Sequence, residues 1–133
     1  MKKLALLFSI VALFFVVNTA TSQSLYFCES VDSKGNPTGE SSTFNIPKGG
    51  GYFYFLVKLP YTIGCTAVKY DIYDVYSDYS ENYNTTISQD GIGTNWDWFW
   101  KKVTFYTAGY YHVYVYDCYG TVIASSYLTI NVK

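Results

Sequence analysis

Arginine is absent from this chain of 133 residues: all nine basic side chains are lysine. There is a single histidine, His112, and only three cysteines, Cys28, Cys65 and Cys118, none of them in a C-x-x-C spacing. Each scarcity excludes something. One imidazole and three scattered thiols cannot furnish a zinc cluster of the His/Cys type, so no metal site is expected. Asp71, Asp74 and Asp78, or Asp90 with Asp97, lack the D-x-D-x-D-G spacing of a calcium loop and read as solvated loop carboxylates. A base at His112 would need a nucleophile and an orienting acid within hydrogen-bond reach, and nothing marks either. Neither an enzymatic activity nor a cofactor is therefore expected. No apolar run reaches the roughly 20 residues of a membrane-spanning helix, and no segment keeps a helical period.

The N-terminus carries the first positive signal. Lys2 and Lys3 precede an apolar run from Leu4 to Val17 of about 14 residues, followed by small polar residues. This is the pattern of a signal peptide, residues 1–22, with Ala20 and Ser22 at the cleavage positions. Cys28 follows the bulky Leu25, Tyr26 and Phe27, which argues against lipid attachment at a cysteine. No membrane span is left after cleavage, and a secreted or periplasmic location follows. Beyond Lys3, seven lysines stand against ten acidic residues, a net charge of about −3. That balance, without arginine, suits a nucleic-acid surface poorly, so no nucleic-acid partner is expected. In an exporting route thiols become oxidised, and three cysteines imply one bridge and one leftover thiol.

Residues 23–133 have the length of one domain. Their dominant pattern is period-two alternation of β-branched and aromatic residues, broken by Gly, Pro, Asn and Asp clusters. Strands are expected over Ser24–Val31, Ser42–Ile46, Gly51–Leu59, Ala67–Tyr76, Tyr83–Gln89, Trp96–Tyr106, Tyr110–Asp117 and a last one ending near Val132. Phe53, Phe55 and Val57 share one face of their strand, as do Val68, Tyr70 and Ile72 of the next. If Trp98 and Trp100 face the core, Val103 and Phe105 point outward. A β-bulge at Lys101–Lys102 would return both sets to one face.

Gly109-Tyr110-Tyr111-His112-Val113-Tyr114-Val115, with Tyr111, Val113 and Val115 on one face, resembles the start of strand F in immunoglobulin-like domains. There a tyrosine forms the tyrosine corner, the role the resemblance gives Tyr111. The closing hairpin is also similar to those of uncharacterised exported bacterial proteins. The likeness implies an all-β, antiparallel immunoglobulin-like sandwich of seven or eight strands, although the Cys-Trp-Cys arrangement of antibody domains is absent. In such a sandwich the loops after Gly51–Leu59 and after Tyr110–Asp117 fall at one end, which pairs Cys65 with Cys118 and leaves Cys28 free.

Sixteen Tyr, nine Phe and three Trp exceed what a core of this size holds. Some must meet solvent, where flat amphipathic rings bind sugars and proteins alike. The candidate binding residues are Tyr110, Tyr114 and Tyr116, flanking His112 on the outward face of their strand, and Trp96. The function expected from them is a non-catalytic exported binding or adhesion module for a protein or glycan. A self-associating structural protein is the alternative.

Overall fold

The computed structural model describes residues 24–133, so the expected signal peptide lies outside the described residues. Those residues form ten strands and no helix: β1 Leu25–Cys28, β2 Ser30–Val31, β3 Pro37–Thr38, β4 Thr43–Ile46, β5 Gly51–Lys58, β6 Val68–Val75, β7 Glu81–Gln89, β8 Trp98–Phe105, β9 Gly109–Tyr116 and β10 Val122–Val132. A five-stranded sheet runs in the order β4-β10-β9-β6-β7, a three-stranded sheet β1-β5-β8, and β2-β3 is a small hairpin.

The alternating faces seal the two larger sheets against each other. Phe53, Phe55 and Val57 of β5 meet Val68, Tyr70 and Ile72 of β6 and Tyr111, Val113 and Val115 of β9 in one core. Phe55 is its hub, with ring centroids 5.1 Å from Phe27 and 5.5 Å from Tyr70, both edge-on. The Tyr111 hydroxyl donates to the Thr107 carbonyl at 2.7 Å, four residues upstream.

Two expectations are corrected. The larger sheet is mixed, because β4 pairs in parallel with β10. Parallel pairing needs a long connection, and the chain from β4 to β10 supplies one. There is also no bulge at Lys101–Lys102. β8 pairs with β5 without a shift from Lys58↔Trp98 to Gly51↔Phe105. Phe99, Val103 and Phe105 are buried, while Trp98, Trp100 and Lys102 take the outer face. The parity conflict arose from assigning the indoles to the core. Register shifts occur instead at Ile72/Tyr73 and Val115/Tyr116.

The β2-β3 hairpin was not foreseen. Asp32 forms its turn, accepting from the backbone N–H of Lys34 and Asn36. The hairpin neighbours the outer face of the three-stranded sheet, where Cys28 and Leu56 are wholly buried without belonging to the main core.

Cys65 and Cys118 form a disulfide, with Cα atoms 5.8 Å apart. Cys28 is free and buried. Burial, with the Glu40 carboxylate second, pushes its thiol up to about 11, which keeps it protonated and unreactive near neutral pH. Reducing the bridge is expected to cost about 4 kcal/mol in the chain-entropy picture of a closed loop. Cys28→Ala is expected to leave the stability difference between oxidised and reduced protein unchanged. Denaturant midpoints with and without reductant read both, and a midpoint insensitive to reductant would contradict the assignment.

Candidate functional site

The site grows from the segment between β7 and β8. Residues 90–97 are stitched to residues 59–66 by backbone hydrogen bonds: Ile92 N to Thr66 O, Gly64 N to Thr94 O, Ile63 N to Trp96 O and Leu59 N to Asp97 O, all between 2.7 and 3.0 Å. The disulfide anchors the same region through Cys65. This wall is therefore held by backbone rather than by mobile side chains. Trp96 turns back over Gly93, whose missing side chain leaves room for the ring: a Cβ there would lie 2.5 Å from the indole Nε1.

A cleft of about 730 Å³ opens where the end of β7 meets β8, lined by Asp90, Asn95, Trp96, Trp98, Trp100 and Lys101 among others. Trp96 and Trp100 are each 45% exposed. Asp97 and Lys102 also border it, so two acidic and two lysine residues line the cleft with the indoles. Gln89 braces the opening. Its Oε1 accepts from the buried Tyr70 hydroxyl at 2.6 Å and its Nε2 donates to the Trp100 carbonyl at 2.9 Å. Beyond Trp100 the outer face continues with Tyr54, edge-on at 5.2 Å, and Tyr52, over whose ring the Lys102 ammonium sits at 4.0 Å.

The residues expected to bind are brought together only in part. Trp96 lines the cleft, whereas Tyr110, His112, Tyr114 and Tyr116 lie on the outer face of β9, in the five-stranded sheet. There the rings pack on one another. Tyr110, 39% exposed, stacks on Tyr127 with centroids 5.5 Å apart. His112, only 9% exposed, lies between Tyr127 at 3.9 Å and Tyr114 at 4.1 Å. Tyr116 is half-buried. The Glu81 carboxylate, not singled out from sequence, accepts from His112 Nδ1 at 2.7 Å and from the Tyr114 hydroxyl at 2.6 Å. These two hydrogen bonds, that from His112 first, hold Glu81 below the usual carboxylate range. Burial first, then the Glu81 contact, pushes the Tyr114 phenol up. On this face the rings are packed on one another, with Tyr110 and Tyr127 still partly exposed.

No family model matches the chain, and no curated protein matches it. Among solved structures, the Pseudomonas fluorescens alkylpurine DNA glycosylase AlkC, bound to DNA containing an abasic site analog, is similar with a TM-score of 0.38 and 12% sequence identity. The match covers 82% of this chain and 31% of the glycosylase. That comparison goes against two expectations. The exported adhesion module for a protein or glycan, with its self-associating alternative, is not carried forward, nor is the exclusion of nucleic acid, since the neighbour is a glycosylase bound to DNA. The exclusion rested on the charge of the whole chain, which does not describe a cleft whose lining includes both Lys101 and Lys102. At this score and identity the likeness itself carries no argument about what this chain binds.

The hairpin over the sheet limits which indole is free. Gly35 has φ +83°, and a Cβ there would lie 2.6 Å from Trp98 Cδ2. Gly35→Ala must therefore strain the turn and displace the Trp98 ring, at a cost of about 1–3 kcal/mol. The expected readout is a lower denaturant midpoint with red-shifted tryptophan emission, and an unchanged midpoint would refute this packing.

Proposed function

We propose that the domain binds ligands carrying a flat aromatic ring and an anionic group, the class to which nucleotides and single-stranded nucleic acid belong. The observation that carries this reading is the pair of half-exposed indoles, Trp96 and Trp100, on one backbone-fixed cleft together with Lys101 and Lys102. Stacking on an aromatic platform contributes about 1–3 kcal/mol per base and tolerates any base, because every base has a π-face. The ammonium groups supply the attraction for phosphate. Asp90 and Asp97 can accept from an exocyclic amino group at the ring edge, as acidic side chains do from cytosine. The reading is of binding alone, with no chemistry performed on the ligand.

The fold is read as an immunoglobulin-like sandwich forming one domain over residues 23–133. Its support is the Tyr111 hydroxyl bond to Thr107, the geometry of a tyrosine corner. The Cys65–Cys118 bridge supports an oxidising compartment, secreted or periplasmic, as its place of action.

Tryptophan fluorescence tests the binding reading. Cytidine monophosphate and a short oligodeoxycytidylate are expected to quench emission saturably. For two ammonium contacts to a single strand, log affinity should fall with log salt at a slope of about −1.4. Trp100→Ala is expected to weaken binding by about tenfold, in line with the loss of one stacked base, with little change in melting temperature because the ring is half outside. No saturable quenching, or quenching by a neutral oligosaccharide alone and without salt dependence, would overturn the proposal.

A further inference from the structure

The charges of the two sheets are sorted, although those of the whole chain nearly cancel, at a formal net of −1. The strands β1, β5 and β8 carry Lys58, Lys101 and Lys102 and no acidic residue. Those of the five-stranded sheet carry Asp71, Asp74 and Glu81 against Lys69 alone. The three-stranded sheet is thus the basic side of an acidic chain. Acidic residues flank it at the hairpin, with Glu29, Asp32 and Glu40, and in the cleft, with Asp90 and Asp97, but none stands on its strands. The hairpin covers Trp98 at Gly35. Past that cover Trp100 is 45% exposed and Tyr52 59%, with the half-buried Tyr54 between them.

The register of β5 on β8 sets these rings in a row. Lys102 stands opposite Tyr54, and Thr104 opposite Tyr52, so the Lys102 side chain reaches its diagonal neighbour, the Tyr52 ring. Ring centroids step 5.2 Å from Trp100 to Tyr54 and 6.4 Å from Tyr54 to Tyr52, both edge-on. The Lys102 ammonium lies 4.0 Å from the Tyr52 centroid, so its charge is held at the far end of the row from Trp100. Neighbouring bases of a stacked strand are only about 3.4 Å apart. A ligand with one base on Trp100 therefore reaches that ammonium only through further nucleotides.

We propose that the cleft opens onto a track across the outer face of β8 and β5, and that its ligand is a single-stranded oligonucleotide of about four nucleotides, at the low end of single-strand site sizes, rather than a mononucleotide. This rests on the cleft's reading as a site for a flat ring and an anionic group, and extends it. One base stacks on Trp100, the strand passes the edge of Tyr54, and a phosphate meets Lys102. Tyr52 is a positioning residue, because its ring face holds the ammonium in place by a cation–π contact. The absence of carboxylates from these strands leaves the phosphates unopposed along the row. A duplex presents phosphates too, but its base faces are stacked inside, and freeing one for Trp100 costs the energy of unstacking and unpairing.

The test titrates the whole oxidised protein, followed by tryptophan quenching, with cytidine monophosphate, with oligodeoxycytidylates of two, four and eight nucleotides, with a duplex of eight base pairs and with inorganic polyphosphate. Affinity is expected to rise about tenfold from the monophosphate to the tetranucleotide, in line with added stacking and phosphate contacts, and then to level off. Lys102→Gln should lower the tetranucleotide's salt slope by about 0.7, one phosphate contact. Tyr52→Ala should weaken the tetranucleotide by about fivefold and narrow its advantage over the monophosphate, whereas Tyr52→Phe, which keeps the ring, should bind as the wild type does. Tyr52 is outside the core, so an unchanged melting temperature certifies the fold of these variants. Lys69→Gln, on the other sheet, should change nothing. A monophosphate that binds as tightly as every oligomer would overturn the track and leave the cleft's reading standing, while failure of every nucleotide would remove both. Duplex or polyphosphate binding as tight as the tetranucleotide's, or a Tyr52→Ala variant that keeps the full advantage of the oligomer, would also overturn the proposal.

Discussion

Tyr70 is wholly buried, and its hydroxyl must find a partner or forfeit the desolvation energy of a polar group in the core. It finds Gln89, at the far end of the neighbouring strand, and that choice has consequences outside the core. An amide that accepts with its oxygen still has two protons to give, and Gln89 places one on the Trp100 carbonyl. One phenol thus fixes the end of β7 against β8 and joins the two sheets on the side where the cleft opens. Pairing at the core and the spacing of the indoles are parts of the same hydrogen-bond chain. A change at Gln89 would be felt both in the buried phenol and in the cleft.

The two aromatic faces divide the chain's excess of rings by what surrounds them. On the five-stranded sheet, rings are consumed by each other: Tyr110, Tyr127, His112, Tyr114 and Tyr73 stack or meet edge-on in sequence, and Glu81 ties off the polar tips. Such cross-strand pairs stabilise a sheet. On the three-stranded sheet the rings meet fewer neighbours. Trp98 is covered by the hairpin at Gly35, and Trp100 and Tyr52 remain outside. What separates the two faces is the concavity beside Trp96 and Trp100.

Much of the architecture was legible from alternation alone. The inward sets of β5, β6 and β9 follow the period of two because each sheet turns one face to the shared core. The disulfide followed from placing two loops at one end of a sandwich, and Cys65 and Cys118 are joined there. Trp98-Phe99-Trp100 defeated the same logic. Three large apolar side chains in a row offer two self-consistent parities, and size favours the tryptophans while the structure buries Phe99. What decides is Val103 and Phe105 further along the strand, which share Phe99's parity and require no bulge. The parallel β4–β10 pair was beyond reach, since it joins segments with no local signal in common.

Glu81 escaped for a related reason. Nothing in Tyr76-Ser77-Asp78-Tyr79-Ser80-Glu81 distinguishes its carboxylate from the solvated acids of any turn. Its partners are more than thirty residues away and become neighbours only because β6 and β9 pair side by side, His112 opposite Tyr73. The isolated position of His112 in the sequence was, by contrast, informative. An imidazole alternating with tyrosines on an outward face was bound to sit among them, and its burial there cannot be tolerated without a partner for the ring N–H. The missing partner had to come from a strand not adjacent in sequence. An N–H needs only an acceptor, and the fold alone says that it is the Glu81 carboxylate.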